Sequence, residues 1–327
     1  IDSKLEYTLE NFETVQIDSL KGILVSDDVS LGLGANIKVL NDSILAVRIM
    51  RSPYQVVLHN LATGKNQNAV STGSGPLEMI RVSGLSSYDD GVLWLLGSED
   101  NKVMTATWND TADVSIVTPK YLAQERILNG IIDNKGRVIG LPVRTENVRA
   151  FITDTTGNIT STFGTFPEVE MPDSVQPSNI MFHADIAYNP EQDKVIFTNK
   201  SWNIIEIYDF VDSTSLNLIG PDKIDSKIVE TKFPYGVMYD PKPLWLYFKD
   251  VSAGPETFCV GYIGRKVTCP EDYQHYINSI LEFDYNGNPI KCYKFDHEIF
   301  AFDVDFDNRV IYTIELQDDP VIKKYNM

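Results

Sequence analysis

Short stretches of alternating apolar and polar residues recur along the chain. Each is followed by an Asn or Asp and then by a run of consecutive apolar residues. The first is Ile37-Lys-Val-Leu-Asn41 followed by Ile44-Leu-Ala-Val47, and the second is Leu85-Ser-Ser-Tyr-Asp89 followed by Val92-Leu-Trp-Leu95. The third and fourth pair Asn129-Gly-Ile-Ile-Asp133 with Val138-Ile-Gly-Leu141, and Asp185-Ile-Ala-Tyr-Asn189 with Val195-Ile-Phe-Thr198. The last two pair Gly236-Val-Met-Tyr-Asp240 with Leu244-Trp-Leu-Tyr247, and Asp303-Val-Asp-Phe-Asp307 with Val310-Ile-Tyr-Thr313. Period-two alternation marks a half-buried strand, and a short continuous apolar run marks a strand buried on both faces. The Asn or Asp between them supplies a turn, because its side chain accepts from backbone two residues on.

A second hairpin often follows, carried by the shared turn Asp154-Thr-Thr-Gly157-Asn158 and Asp284-Tyr-Asn-Gly287-Asn288, with a looser version at Gly64. Each unit therefore holds four antiparallel strands in roughly 40–50 residues, the signature of a propeller blade. Six units predict an all-β, six-bladed β-propeller spanning residues 1–327 as one domain. The sixth unit runs out of chain before its fourth strand. The alternating stretch from Tyr7 to Ile17 is expected to fill that place and close the ring.

Two gaps between units are long, and they predict insertions at about 165–182 and 251–278. Both fall on one face, the side of the second-to-third-strand and blade-to-blade connections, and long connections there favour function. Within the second, a hairpin around Gly264 is expected to place Cys259 opposite Cys269, leaving a disulfide or two free thiols open. Cys292 reads as a small core residue.

Composition changes the picture in one respect. Lys and Arg number 28 against 46 for Asp and Glu, a net charge of −18, which repels a phosphate backbone and excludes nucleic acid as a partner. No apolar run approaches the roughly 18–20 residues of a membrane span. Against this acidity, Arg51, Arg81, Arg126 and Arg144 fall at turns and strand starts of the insertion face, with His183, Trp202 and Tyr235 nearby. Converging there, they predict an anion or polar-ligand site at the mouth of the central channel. Metal chemistry is the competing expectation. Asp303, Asp305 and Asp185 are the candidate ligands, and Asp303-Val-Asp-Phe-Asp307 resembles the start of a calcium loop, although Asn308 stands where that loop needs glycine. No nucleotide-binding, nucleophile-elbow or zinc motif is present in the sequence, and no cofactor is expected beyond that possible calcium.

The six registered units, the segment Gly73-Ser-Gly-Pro-Leu-Glu78 and the terminal Asp319-Pro-Val-Ile-Lys-Lys-Tyr325 resemble the TolB-like six-bladed propeller proteins of gut Bacteroidales. The resemblance spans almost the whole chain, with Leu77 where that family's pattern has a glycine. It implies an exported lipoprotein of the periplasm or outer-membrane surface, tethered by a lipid on a cysteine ahead of Ile1. Ile1 in place of an initiator methionine fits a processed chain. The family transfers no catalytic residues. The resulting expectation is a binding or scaffold protein of the cell envelope that recognises a protein, peptide or glycan on the insertion face. A metal-dependent hydrolase or lyase working in the channel is the alternative, and a structural component of an outer-membrane assembly a third.

Overall fold

The structure is a computed structural model that describes residues 2–27, 33–50, 53–88, 91–108, 114–121, 125–143, 147–222, 226–233, 236–269, 275–316 and 320–327. Six antiparallel sheets form six blades of a β-propeller. Blade one is Leu33–Asn41, Ile44–Met50, Tyr54–Asn60 and Asn66–Thr72, and blade two is Val82–Ser86, Val92–Gly97, Lys102–Trp108 and Val114–Tyr121. Blade three is Ile127–Ile132, Val138–Pro142, Ala150–Thr153 and Ile159–Phe163, and blade four is Ala184–Asn189, Lys194–Asn199, Ile204–Asp209 and Thr214–Ile219. Blade five is Trp245–Ala253, Thr257–Lys266, Ile277–Asp284 and Pro289–Ile299. Blade six takes Ala301–Asp305, Val310–Leu316 and Pro320–Asn326 from the C-terminus.

Six apolar clusters fill the six seams between neighbouring blades. One of them joins the ends of the chain, packing Ala301, Tyr312 and Ile314 of blade six against Ile37, Leu45 and Val47 of blade one. Strands buried on both faces explain the continuous apolar runs: all five residues of Val138–Pro142 are buried.

The turns follow their side chains. Asn41, Asp133 and Asn189 each accept backbone N–H groups two to four residues on, at 2.8 to 3.2 Å. In blade six the acceptor is Asp305, not Asp307, and it takes the Asn308 N–H at 2.9 Å. Asp89 lies outside the described residues. Asp154 and Asp284 cap their hairpins identically, each accepting two backbone N–H groups. Gly157 and Gly287 take φ of +91° and +85°, a left-handed geometry that side chains disfavour.

Three expectations are corrected. The strand completing blade six is Ile23–Ser26, which pairs antiparallel with Pro320–Asn326. The stretch from Tyr7 to Ile17 does something else: Tyr7 and Phe12 plug the seam between blades four and five, each with its ring 5.1 Å from that of Phe283. Glu13–Ile17 then pairs parallel with the outer strand of blade five, as Asp2–Glu6 does with that of blade four. The N-terminus therefore dresses the outer edges of three consecutive blades.

The second correction concerns blade five. Gly236–Lys242 is not its inner strand but half of a separate two-stranded hairpin with Lys227–Phe233. The inner strand is Trp245–Ala253, and its turn uses Gly254-Pro255, with no Asx at all. The inserted segment in this region is therefore 220–244, while most of 251–278 is regular blade. Third, Thr257–Lys266 is one continuous strand through Gly264 rather than a hairpin. Cys259 is buried on this strand, whereas Cys269 lies three residues beyond its end and is exposed, so no hairpin sets the two opposite each other and no disulfide joins them. Cys292 is buried in the seam between blades four and five.

The insertion 164–183 joins blade three to blade four, and 220–244 joins blade four to blade five. Both are connections from an outer strand to the next inner strand, so both lie on one face. They share an apolar cluster in which Val175, Phe182, Trp202, Ile204 and Ile228 are buried, and the Ile228 N–H donates to Glu170 O at 2.8 Å.

Candidate anion-binding site

Inner strands of all six blades line a central channel of about 310 Å³, with residues such as Lys38, Ser83, Asn129, Asp185, Asp250 and Asp303 on its walls. At the insertion face the channel opens into a cavity of about 430 Å³, within the range of about 300–1,000 Å³ of small-ligand pockets. Three positions that immediately precede inner strands, Arg81, Arg126 and His183, stand at this mouth. Lys200, from the turn after the second strand of blade four, joins them with Arg48 of blade one and Lys249 of blade five. Five arginine and lysine side chains thus face three carboxylates, Glu99, Asp185 and Asp250, in a chain whose overall balance is 28 to 46.

The basic groups are held differently. Arg126 is exposed and has no carboxylate partner among the described residues. Arg81 sits 3.8 Å from Glu99 with most of its side chain exposed. Lys200 pairs with Asp185 at 3.1 Å, both partly exposed. Arg48 donates to Val82 O at 2.7 Å, tying blade one to blade two, while its buried Nε has no hydrogen-bond partner among the described residues. Burial lowers its pKa, with Asp250 opposing. Lys249 donates to the carbonyls of Phe300 and of His275 (3.2 Å for the latter), and its Nζ lies 3.4 Å from the Phe300 ring centroid. Burial pushes its pKa down to about 8.

Two adjacent carboxylates sit among these cations. Burial works against ionisation of Asp185, yet Lys200 and His183 outweigh it and its pKa is lowered. Asp185 also accepts from Asn129 Nδ2 and from the Asp250 N–H, both at 3.1 Å. Asp250, in left-handed backbone at φ +59°, is pushed up to about 6, chiefly by burial. Its Oδ1 accepts from Asn36 at 2.9 Å, and its buried Oδ2 has no hydrogen-bond partner among the described residues. Of the pair, Asp185 keeps the charge and Asp250 is the one that takes a proton. His183 is lowered to about 4 by burial, then by Lys200, and is a neutral ring at neutral pH.

Of the residues singled out in the sequence, Arg81, Arg126 and His183 line this cavity, while Arg51, Arg144 and Tyr235 lie outside the described residues. Trp202 does not face a ligand. It is fully buried, stacks on Phe182 at 5.4 Å and donates to Met181 O at 2.9 Å, serving as the core of the insertion. The metal candidates do not converge. Asp303 is occupied by Lys38 (3.1 Å), the Val39 N–H (2.8 Å) and Ser252 Oγ (2.5 Å), linking blade six to blades one and five. Asp305 is a turn residue and Asp185 belongs to the mouth. Among the described residues no three His, Cys, Asp or Glu side chains are placed to hold one metal ion.

Sequence reasoning missed Arg48, Lys200, Lys249 and Asp250. Lys200 follows the second strand of blade four by a single residue, a position that signals this face. Lys249 and Asp250 were concealed by the misplaced inner strand of blade five. It also missed Arg149, which anchors the insertion. Fully buried, Arg149 pairs with buried Glu206 at 2.6 Å and donates to Asn179 Oδ1 and Phe182 O of the inserted segment at 2.6 and 2.9 Å. Tyr208 donates to the same Glu206 at 2.6 Å. The glycine-rich segment has a structural use: Glu78 accepts from the Gly75 N–H, and buried Lys102 donates to the carbonyls of Gly75 and Glu78 at 2.7 and 2.9 Å.

Fold and site together define a six-bladed propeller with a cationic pocket at one mouth of an otherwise acidic molecule. Residues 35–307 match the family described as TolB-like 6-blade propeller-like, and the chain belongs to that family. Among solved structures it is similar to a Bacteroides fragilis protein described as exported, at 13% identity and TM-score 0.56, covering 99% of this chain and 98% of that one. It is also similar to a member of the DUF4221 family from Bacteroides vulgatus, at 9% identity and TM-score 0.59, covering 89% and 92%. At these identities the likeness is one of fold. No curated protein matches the chain in sequence.

Proposed function

We propose that this protein is an exported binding propeller of the cell envelope that captures a ligand bearing an anionic group at the mouth on its insertion face. One observation carries the reading: five arginine and lysine side chains gather round one cavity in a chain of net charge −18. Their neighbours on that face are the two longest connections of the fold, which gives a partner protein, peptide or glycan surface to hold. Export and the envelope setting rest on the company the fold keeps in Bacteroides. An exposed arginine offers a planar, always-charged fork to a carboxylate or phosphate, which suits Arg81 and Arg126 to first contact.

The reading is tested by calorimetric titration with citrate, sulfate and neutral glucose. Citrate and sulfate are expected to bind more weakly as salt rises, and glucose not at all. Arg81→Gln with Arg126→Gln is expected to weaken citrate by roughly tenfold or more, because each charge-assisted contact contributes about 1.5–3 kcal/mol. Unchanged citrate affinity in that double variant sinks the site.

A further inference from the structure

The cationic mouth adjoins a second cavity with different walls. The two share His183 and Lys200. The second, of about 480 Å³, is lined beside them by Ile180, Met181, Tyr239, Leu244 and Leu246. Ile180 leaves 62% of its surface exposed, and Met238, next to Tyr239, leaves 51%. Large exposed apolar side chains beside a concave wall that carries Met181, Leu244 and Leu246 mark a contact surface. The second cavity mixes these apolar side chains with Ser201, Asp240, Lys242 and His275, and Lys200 stands at the junction of the two.

The backbone adds a third element. Tyr239 to Lys242 on the cavity wall belong to the strand Gly236–Lys242, which pairs with Lys227–Phe233 in a sheet of two strands. Among the described residues no strand covers its other edge. An extended chain adds readily to such an edge through main-chain hydrogen bonds, with alternate side chains entering pockets. Pro241 donates none, so an added chain is held there through carbonyls and by N–H groups earlier in the strand. A saccharide has use for the cations but none for a strand edge.

We infer that the ligand is a peptide segment with a free carboxyl terminus and an apolar last residue. Its terminal carboxylate enters the mouth at Lys200 and Arg126, and its last side chain fills the cavity between Met181 and Leu244. The preceding residues lie extended along Gly236–Lys242. The inference rests on the anionic-ligand reading above and narrows it to one class.

The test uses the full chain and fluorescein-labelled hexapeptide pools, random at five positions, ending in Phe, Leu, Gly or Asp, each as free acid and as amide. Polarisation is expected to show the Phe and Leu acids tightest, with amidation weakening them roughly tenfold or more. Arg126→Gln is expected to weaken the acids and leave the amides unchanged. Ile180→Ser with Tyr239→Ala is expected to abolish the Phe and Leu preference while citrate still binds, which also shows that this variant is folded. Equal binding of acids and amides overturns the inference. So does Arg126-dependent binding of citrate or tetragalacturonate with no peptide preference, an outcome that leaves the anionic reading standing. Failure of citrate and every peptide alike overturns both.

Discussion

At the scale of single residues the decisive groups are buried carboxylates with assigned partners. Glu206 is held by Arg149, and Glu282 accepts from Arg309 at 2.9 and 3.2 Å and from Tyr293 at 2.8 Å. Each such pair bridges adjacent blades, blade three to four in one case and blade six to five in the other. Removing one partner of a fully buried pair leaves an uncompensated charge, so Arg149→Met is expected to cost about 3–5 kcal/mol in urea unfolding. Arg149→Met with Glu206→Leu is expected to recover much of that loss. A double variant as unstable as the single one contradicts the assignment. Glu315 of blade six has a titratable partner. His297 accepts or donates at Asp296 (2.7 Å) and Glu315 (2.9 Å), and Tyr325 and Lys323 also reach Glu315, at 2.5 and 2.9 Å.

Burial opposes the charged ring of His297, but Glu315 and Asp296 outweigh it and raise its pKa above the ordinary 6.5. Glu315 is drawn upward by burial and then lowered to about 2 by His297, Tyr325 and Lys323. The His297 contribution is therefore complete below about pH 6.5 and lost as pH rises through its raised value. The Glu315 contribution is complete above about pH 4.5 and lost as pH falls toward 2. Melting temperature followed from pH 5 to 9 is expected to decline less steeply in His297→Gln than in the wild type. Parallel curves would show that His297 carries no linked stability.

At the scale of elements, the connections divide the work of closing and edging the blades. The N-terminal segment is two devices in series. Asp2–Glu6 and Glu13–Ile17 edge blades four and five, but Ile23–Ser26 is the fourth strand of blade six. Deleting residues 1–17 is expected to lower stability yet leave a monodisperse monomer. Deleting 1–27 bares the edge of Pro320–Asn326 and is expected to cause aggregation, read by size exclusion. Aggregation of both to the same extent contradicts the division.

Much of this level was legible in the sequence. Five of six inner and second strands stand where the alternation and apolar runs put them. Blade five failed for a physical reason: Asp240-Pro241 imitates the Asx turn, while the real turn at Gly254-Pro255 needs no side-chain acceptor. The alternation from Tyr7 to Ile17 misled similarly, since Tyr7 and Phe12 are apolar anchors separated by a 3-10 turn at Leu9–Asn11.

At the scale of the whole molecule, most of the −18 charge is solvation of a strand-rich surface, and the mouth is where that pattern is broken. The arginines before inner strands were legible because a propeller assigns every inner-strand start to one face. Lys249 and Asp250 were not, because their strand was misplaced, and Arg149 was not, because nothing in sequence distinguishes a buried arginine from a surface one. The same face gathers both insertions, locked to the disk by Arg149 and by the core around Trp202. The central claim, that this mouth is built to hold an anion, is tested most directly by anomalous diffraction from crystals soaked in sodium tungstate. A peak within hydrogen-bonding reach of Arg81, Arg126 and Lys200, absent in Arg126→Gln crystals, is the expected result. Tungstate bound elsewhere on the surface, with none at the mouth, contradicts the account.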